Sequence, residues 1–261
     1  MKYCFIGDSH LGHFMPAWKE RVAGNDALKA DFHIERTYGQ LPLRIFDGET
    51  EIAKFDDIRC AYAPEVDVDV YDVFVVFGMH FSFAALAKTY VNFRSEEHER
   101  STGAYLLSPT AYDSMLHELY SNSKAMRVLT SLRLSTTKPV FYVQQPMPLE
   151  WVLERTEKHL GFFRELKRST DFEVFQVNYA KQLEGLERQG VHLLAQPEST
   201  LGLAGFTQGR FGLADATDLS PDSAYTKGDY FHMNAEYGDL VVDQIIGLSP
   251  VPTREILNEN S

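Results

Sequence analysis

Apolar residues along the chain fall into short runs separated by longer stretches of mixed character. Lys2 to Ile6 is a buried-strand pattern closed by Gly7. Phe14 to Lys29 follows with helical spacing, and Pro16 falls in its first turn, where a missing N–H costs little. Asp31 to Glu35 predicts a second short strand before Tyr38-Gly39-Gln40. Residues 43–61 predict a hairpin, because Asp47-Gly48 separates Leu43–Phe46 from Glu51–Phe55. The strongest strand is Tyr71 to Phe77. Its run Val73-Phe74-Val75-Val76-Phe77 is apolar on both faces, as a central parallel strand requires.

Residues 81–135 read as mostly helical, and Pro139 to Gln144 as another buried strand ending before Pro146 and Pro148. Residues 149–189 are helical again, Val191 to Ala195 is a further strand, and Gly202 to Gly228 is glycine-rich and irregular. A last helix is predicted from about Ala235 to Ile246. Strands alternating with helices specify an α/β fold: a three-layer α/β/α sandwich around a parallel sheet of about five strands. The 261 residues suit a single domain, 1–261, with helical insertions at about 81–135 and 149–189. These exceed what a crossover needs, and form either a cap over a site or additional packing layers.

Composition narrows the partners. Hydrophobic residues at 44% supply a core, and 24% charged residues is ordinary for a globular chain. The net charge of -12 argues against nucleic acid and against an anionic membrane surface, both of which call for clustered Lys and Arg. A neutral or cationic small molecule, or a glycan, is easier to accommodate. The two cysteines, Cys4 and Cys60, suggest neither a disulfide framework nor a thiolate metal site. The opening segment is too short and polar for a signal peptide, and no apolar run reaches the length of a membrane span. A cytoplasmic protein is the expectation.

Two segments carry chemistry. Gly7-Asp8-Ser9-His10 follows the first strand, so Ser9 stands at the carboxyl edge of the sheet, where open α/β folds bind ligands. Asp229-Tyr230-Phe231-His232-Met233-Asn234 precedes the last helix. A serine hydroxyl needs a base to become nucleophilic, and a histidine oriented by a carboxylate is such a base. Taken singly, Asp229 fits a turn or cap residue and His232 a half-buried core histidine. The aromatics Tyr225, Tyr230 and Phe231 flank the base and either line a pocket or pack the loop.

Together the two segments resemble the SGNH (GDSL-like) hydrolase family, which opens with Gly-Asp-Ser after strand one and closes with Asp-x-x-His before the terminal helix. Asn234 to Gly238 is similar to that family's ending, and Gln145-Pro146 to the proline that follows its fourth strand. The resemblance spans the strands but not the inserted helices. It implies Ser9 as nucleophile, His232 as base and Asp229 as its orienter. It also implies an oxyanion hole from the Ser9 N–H, a glycine after strand two, for which Gly39 is the candidate although it equally fits a plain turn glycine, and a side chain after strand three. There the family reads Gly-x-Asn-Asp and this chain reads Gly78-Met79-His80-Phe81, so His80 stands in the Asn position. An imidazole N–H can serve as the donor.

The implied activity is acyl-ester hydrolysis without a cofactor, with an O-acyl group on a carbohydrate among the substrates suggested. The same triad also serves O-acyl transfer to a glycan, and the change to His80 leaves open a ligand-binding protein without turnover. Asp8-Ser9-His10 also matches the Asp-x-His that opens calcineurin-like metallophosphoesterases, but that family's later Gly-Asp and Gly-Asn-His motifs do not occur. His13 and His98 are expected to be solvated or capping residues.

Overall fold

The computed structural model describes residues 1–36, 38–61, 63–99, 105–157, 160–202, 204–214, 220–224 and 226–248. In chain order the elements begin with β1 (Lys2–Gly7), α1 (Leu11–Arg21) and β2 (Lys29–Ile34), then β3 (Leu41–Asp47), β4 (Thr50–Cys60), β5 (Glu65–Asp67) and β6 (Val73–Phe77). Next come α2 (Phe83–Thr89), β7 (Phe93–Arg94), β8 (Tyr105–Leu106), α3 (Pro109–Ser121), α4 (Lys124–Ser135) and β9 (Val140–Val143). The chain continues through α5 (Gly161–Arg168), α6 (Asp171–Arg188) and β10 (His192–Leu194) to α7 (Ala235–Leu248).

Five strands form one parallel sheet in the order β10-β9-β6-β1-β2. Every residue of β6 and β9 is buried, which is why those segments are continuously apolar rather than alternating. Side chains alternate between the two faces of this sheet. On one face Tyr3 and Phe5 meet the Trp18 ring of α1 at 4.9 and 4.8 Å, and Phe77 meets Phe14 at 4.7 Å. On the other face Tyr142 meets Phe81 at 5.3 Å, and Phe81 meets Tyr120 of α3 at 4.7 Å. Helix α7 packs beside α1, while α4 lies against β6 and β9. This mixed α/β arrangement is compatible with three α/β/α layers.

The sequence reading and the structure differ at particular elements. Helix α1 starts at Leu11 and ends at Arg21, whereas Phe14 to Lys29 was expected, and Lys29 already belongs to β2. Pro16 therefore sits in the helix interior, where its ring removes the bond to the Gly12 carbonyl. The hairpin forms around Gly48, at φ 57°, but it belongs to a separate sheet ordered β4-β3-β5, and β5 was not anticipated. The 81–135 stretch is three helices interrupted by the two-residue pair β7/β8. His98 is buried rather than solvated. Its Nδ1 accepts from the Ser95 N–H at 3.1 Å and its ring packs on Tyr112. Among the described residues no helix is long and apolar enough to cross a membrane.

Trp18 is the anchor between α1 and the sheet. Trp18→Ala should lower the unfolding free energy by about 3–5 kcal/mol, read by urea titration; a cost under about 1 kcal/mol would mean that α1 is not part of the cooperative core.

Candidate active site

The chain order of the parallel sheet reverses direction between β1 and β6, and ligand sites in such sheets gather beyond the carboxyl ends of the strands at that point. Ser9 follows β1 and Gly78-Met79-His80 follows β6, so both loops stand at this crevice. The loop before α7 arrives from the far end of the chain and completes it.

The Ser9 Oγ lies 2.7 Å from His232 Nε2. His232 Nδ1 lies 2.8 and 2.9 Å from the two Asp229 oxygens. With Nδ1–H donating to Asp229, Nε2 presents its lone pair to the Ser9 hydroxyl. The hydrogen bond to Asp229 holds the imidazole above its ordinary 6.5, against burial, which lowers it. Burial pushes the Asp229 carboxyl up, but the hydrogen bond and charge of His232 outweigh it and leave it below its ordinary 3.8.

The base loop is fixed from behind by the glycine-rich stretch. The His232 carbonyl accepts from the Leu213 N–H at 3.0 Å, Asn234 N–H donates to Phe211 O at 2.8 Å, and the Tyr230 carbonyl accepts from Leu149 at 2.8 Å. The Asn234 side chain caps α7 through the Tyr237 N–H at 3.2 Å. A Cβ at Gly212 would stand 2.1 Å from the Leu149 side chain, so only glycine lets the two segments meet.

A second His–Asp pair, not assigned a role from sequence, adjoins the first. His10 Nδ1 is 2.7 Å from Asp8 Oδ1, and the His10 and His232 rings are 5.0 Å apart. Asp8 also accepts from the His10 N–H at 3.1 Å and from the Met79 N–H at 2.8 Å. Gly78, Met79 and His80 all adopt left-handed backbone, with φ of 62°, 55° and 69°. A Cβ at Gly78 would be 2.9 Å from Asp8 Oδ1, so the carboxylate occupies the space that a larger residue would take. Burial by itself would raise the Asp8 carboxyl; the His10 hydrogen bond and charge, with the two N–H groups, overcome it and hold it at about 2.

His80 is exposed and lines the cleft beside Ser9. The N–H groups of Ser9 and His80 find no acceptor among the described residues. Gly39 is placed otherwise than expected. Its N–H donates to the Arg36 carbonyl at 2.9 Å, and a Cβ there would be 2.3 Å from the Arg59 carbonyl. Gly39 is thus a turn glycine demanded by close backbone approach, and its N–H is already taken. Tyr230 is fully buried and packs the loop, Phe231 lines the cleft, and Tyr225 lies outside the described residues, as does the side chain of His13.

Ser9 stands where two cavities meet, of about 810 and about 630 Å³, which share Asp8, Ser9, His80 and Lys124. The larger draws on the inserted helices: Ala84, Ala85 and Lys88 of α2, Lys124 and Arg127 of α4, and Phe162 and Phe163 of α5. Those helices also bury Leu86, Leu129 and Leu166, so they both pack a layer and wall the cleft. Among the described residues no group of three or more His, Cys, Asp or Glu side chains is disposed to hold a metal ion, which leaves the metallophosphoesterase pattern without a donor set.

No family model matches the chain, and no curated protein matches it in sequence.

The Asp8 clamp has a measurable consequence. A carboxyl held at about 2 instead of 3.8 contributes about 2 kcal/mol to folding. That contribution is complete above the unfolded value and is lost as pH falls through the folded one, so between about pH 4 and pH 2. Asp8→Ala should cost about 2 kcal/mol in urea unfolding at pH 7, and the gap from the unsubstituted protein should close toward pH 2. A gap independent of pH would show that the carboxylate charge is not what holds the loops.

Proposed function

We propose that the protein is a serine-dependent acyl-ester hydrolase of the SGNH type, with a three-layer α/β/α fold, acting through a Ser9–His232–Asp229 triad. The observation that carries this reading is the unbroken hydrogen-bond chain from Ser9 Oγ to His232 Nε2, at 2.7 Å, and from Nδ1 to Asp229, at 2.8 Å. It joins the two ends of the sequence at the ligand edge of a parallel sheet.

In the proposed reaction the Ser9 Oγ attacks the ester carbonyl carbon while its proton passes to His232 Nε2. Asp229 keeps the ring in the required tautomer and stabilises the imidazolium. The tetrahedral oxyanion is held by the Ser9 N–H and by His80, whose ring N–H and backbone N–H both remain available. Collapse breaks the bond to the alcohol oxygen, which takes the proton from His232. Water, deprotonated by the same histidine, then releases the acid and restores Ser9. No step calls for a cofactor.

The two cavities meeting at Ser9 favour a second reading of the same chemistry, O-acyl transfer. One arm would hold the donor and the other an acceptor hydroxyl, such as that of a sugar, in place of water. Products measured with and without an added sugar acceptor separate the two.

Ser9→Ala should abolish turnover of a phenyl acetate and labelling by a fluorophosphonate while leaving the unfolding midpoint unchanged; retention of most of the activity would reject the nucleophile. Asp229→Asn should cost about four orders of magnitude in kcat with little change in KM. Because only neutral His232 can accept the proton, kcat/KM should rise with pH through a value above 6.5, and Asp229→Asn should move that limb to lower pH. His80→Ala should cost about two to three orders of magnitude in kcat, with His80→Asn recovering part. Full activity in His80→Ala would remove it from the oxyanion site.

A further inference from the structure

The charge of the cleft runs against that of the protein. The chain carries 37 acidic and 25 basic residues, yet the two arms together are lined by the cations Arg36, Lys88, Lys124 and Arg127. Three carboxylates line them, and each is engaged. Asp8 is held by His10 and Met79, Glu35 pairs with Lys124, and Asp57 takes a two-pronged hydrogen bond from Arg127. Lys88 and Arg36, one in each arm, form no ion pair among the described residues. Among the described residues the Arg36 guanidinium donates only a 3.5 Å hydrogen bond, to the Tyr38 hydroxyl. Lys88 and Arg36 thus leave one unpaired cation in each arm, with the ionised Asp8 at the junction between them, in a concave surface that strengthens the field of each.

We propose that this cleft selects acyl esters bearing an anionic group, a carboxylate or a phosphate, with Lys88 and Arg36 as the residues that recognise it. The inference rests on the Ser9 reading for the identity of the ester, but not for the anion preference. A neutral ester would leave these cations solvated and unused, whereas a negative group in either arm meets a cation without competing against an internal carboxylate. The larger arm also offers Phe162, Phe163 and Phe231 to an apolar portion of the ligand.

The test uses three acetate esters that differ at one position: 4-acetoxybenzoate, 4-acetoxyphenyl phosphate and the neutral 4-acetoxybenzamide. Each kcat/KM is divided by that ester's hydroxide-catalysed rate. A solvent-exposed cation in whichever arm the anion occupies predicts a preference of about threefold for the anionic esters, eroded by salt. Lys88→Gln should remove that preference where the anion occupies the larger arm and Arg36→Gln where it occupies the smaller, and the double variant should remove it in either case. Both side chains lie outside internal ion pairs, so these substitutions spare the fold. In parallel, Ser9→Ala protein is titrated with 4-hydroxybenzoate and 4-hydroxybenzamide. Tighter binding of the carboxylate there, with no ester turned over by the unsubstituted protein, keeps the anion preference and rejects the acyl-transfer reading. Equal turnover of charged and neutral esters together with equal binding overturns the proposal. A preference that persists in the Lys88→Gln/Arg36→Gln double variant overturns it too, because the cations named would not be its source.

Discussion

The site depends on one half-buried carboxylate, Asp8, which ties the loop after β1 to the loop after β6. Gly78, Met79 and His80 run through three successive left-handed conformations, and a left-handed non-glycine residue costs roughly 1–2 kcal/mol. The Asp8 carboxylate offsets much of this by accepting the Met79 N–H and filling the space over Gly78. His10, two residues on, satisfies the remaining oxygen and supplies the donor that keeps the carboxylate ionised. Through that clamp the exposed His80 is delivered to the side of Ser9 without a side-chain hydrogen bond of its own to hold it there.

That arrangement explains which parts were legible in the sequence. The central strands β1, β6 and β9 were visible because their burial leaves unbroken apolar runs, Val73–Phe77 above all. The Gly-Asp-Ser and Asp-x-x-His segments were visible because each sits at a strand end or helix start with a distinctive residue order. The structure brings Ser9, Asp229 and His232 within hydrogen-bond reach of one another. The role of Asp8 was hidden, because its main partners are a backbone N–H 71 residues away and a histidine whose spacing also matches a metal motif. Gly39 stayed ambiguous for a related reason. A glycine after a strand is equally a turn or a donor site, and only the close approach of the Arg59 carbonyl distinguishes them. The start of α1 was misplaced because Pro16 reads as a first-turn residue when the helix in fact begins five residues earlier.

The inserted segments are neither a detached lid nor inert packing. Helices α2, α4 and α5 bury apolar residues in the core and at the same time turn Lys88, Lys124, Arg127, Phe162 and Phe163 toward the cleft. A face that is half core and half site couples recognition to folding. The polar residues on it are free to vary with the ligand while the buried leucines hold the helix in place. In the proposed reading, recognition is shared between the insertions and the loop after β2, and the triad stands on loops at the edge of the sheet.

Bringing His232 to Ser9 is the harder structural task, since the two are 223 residues apart. The glycine-rich stretch before the base loop serves it. Gly209 and Gly212 lie where a Cβ would overlap the side chains of Trp151 and Leu149, so the segment that follows β9 packs its side chains directly on the glycine backbone of the segment that precedes α7. The bridges from Leu149 to the Tyr230 carbonyl and from Leu213 to the His232 carbonyl then fix the loop on two sides. Any larger residue at these glycines would shift the loop by part of an ångström or more. A hydrogen bond of 2.7 Å between Oγ and Nε2 weakens steeply over that distance. The irregular, glycine-rich region thus carries as strict a geometric demand as the strands, because the 2.7 Å spacing between Ser9 and His232 depends on how closely the Trp151 and Leu149 side chains can seat on that backbone.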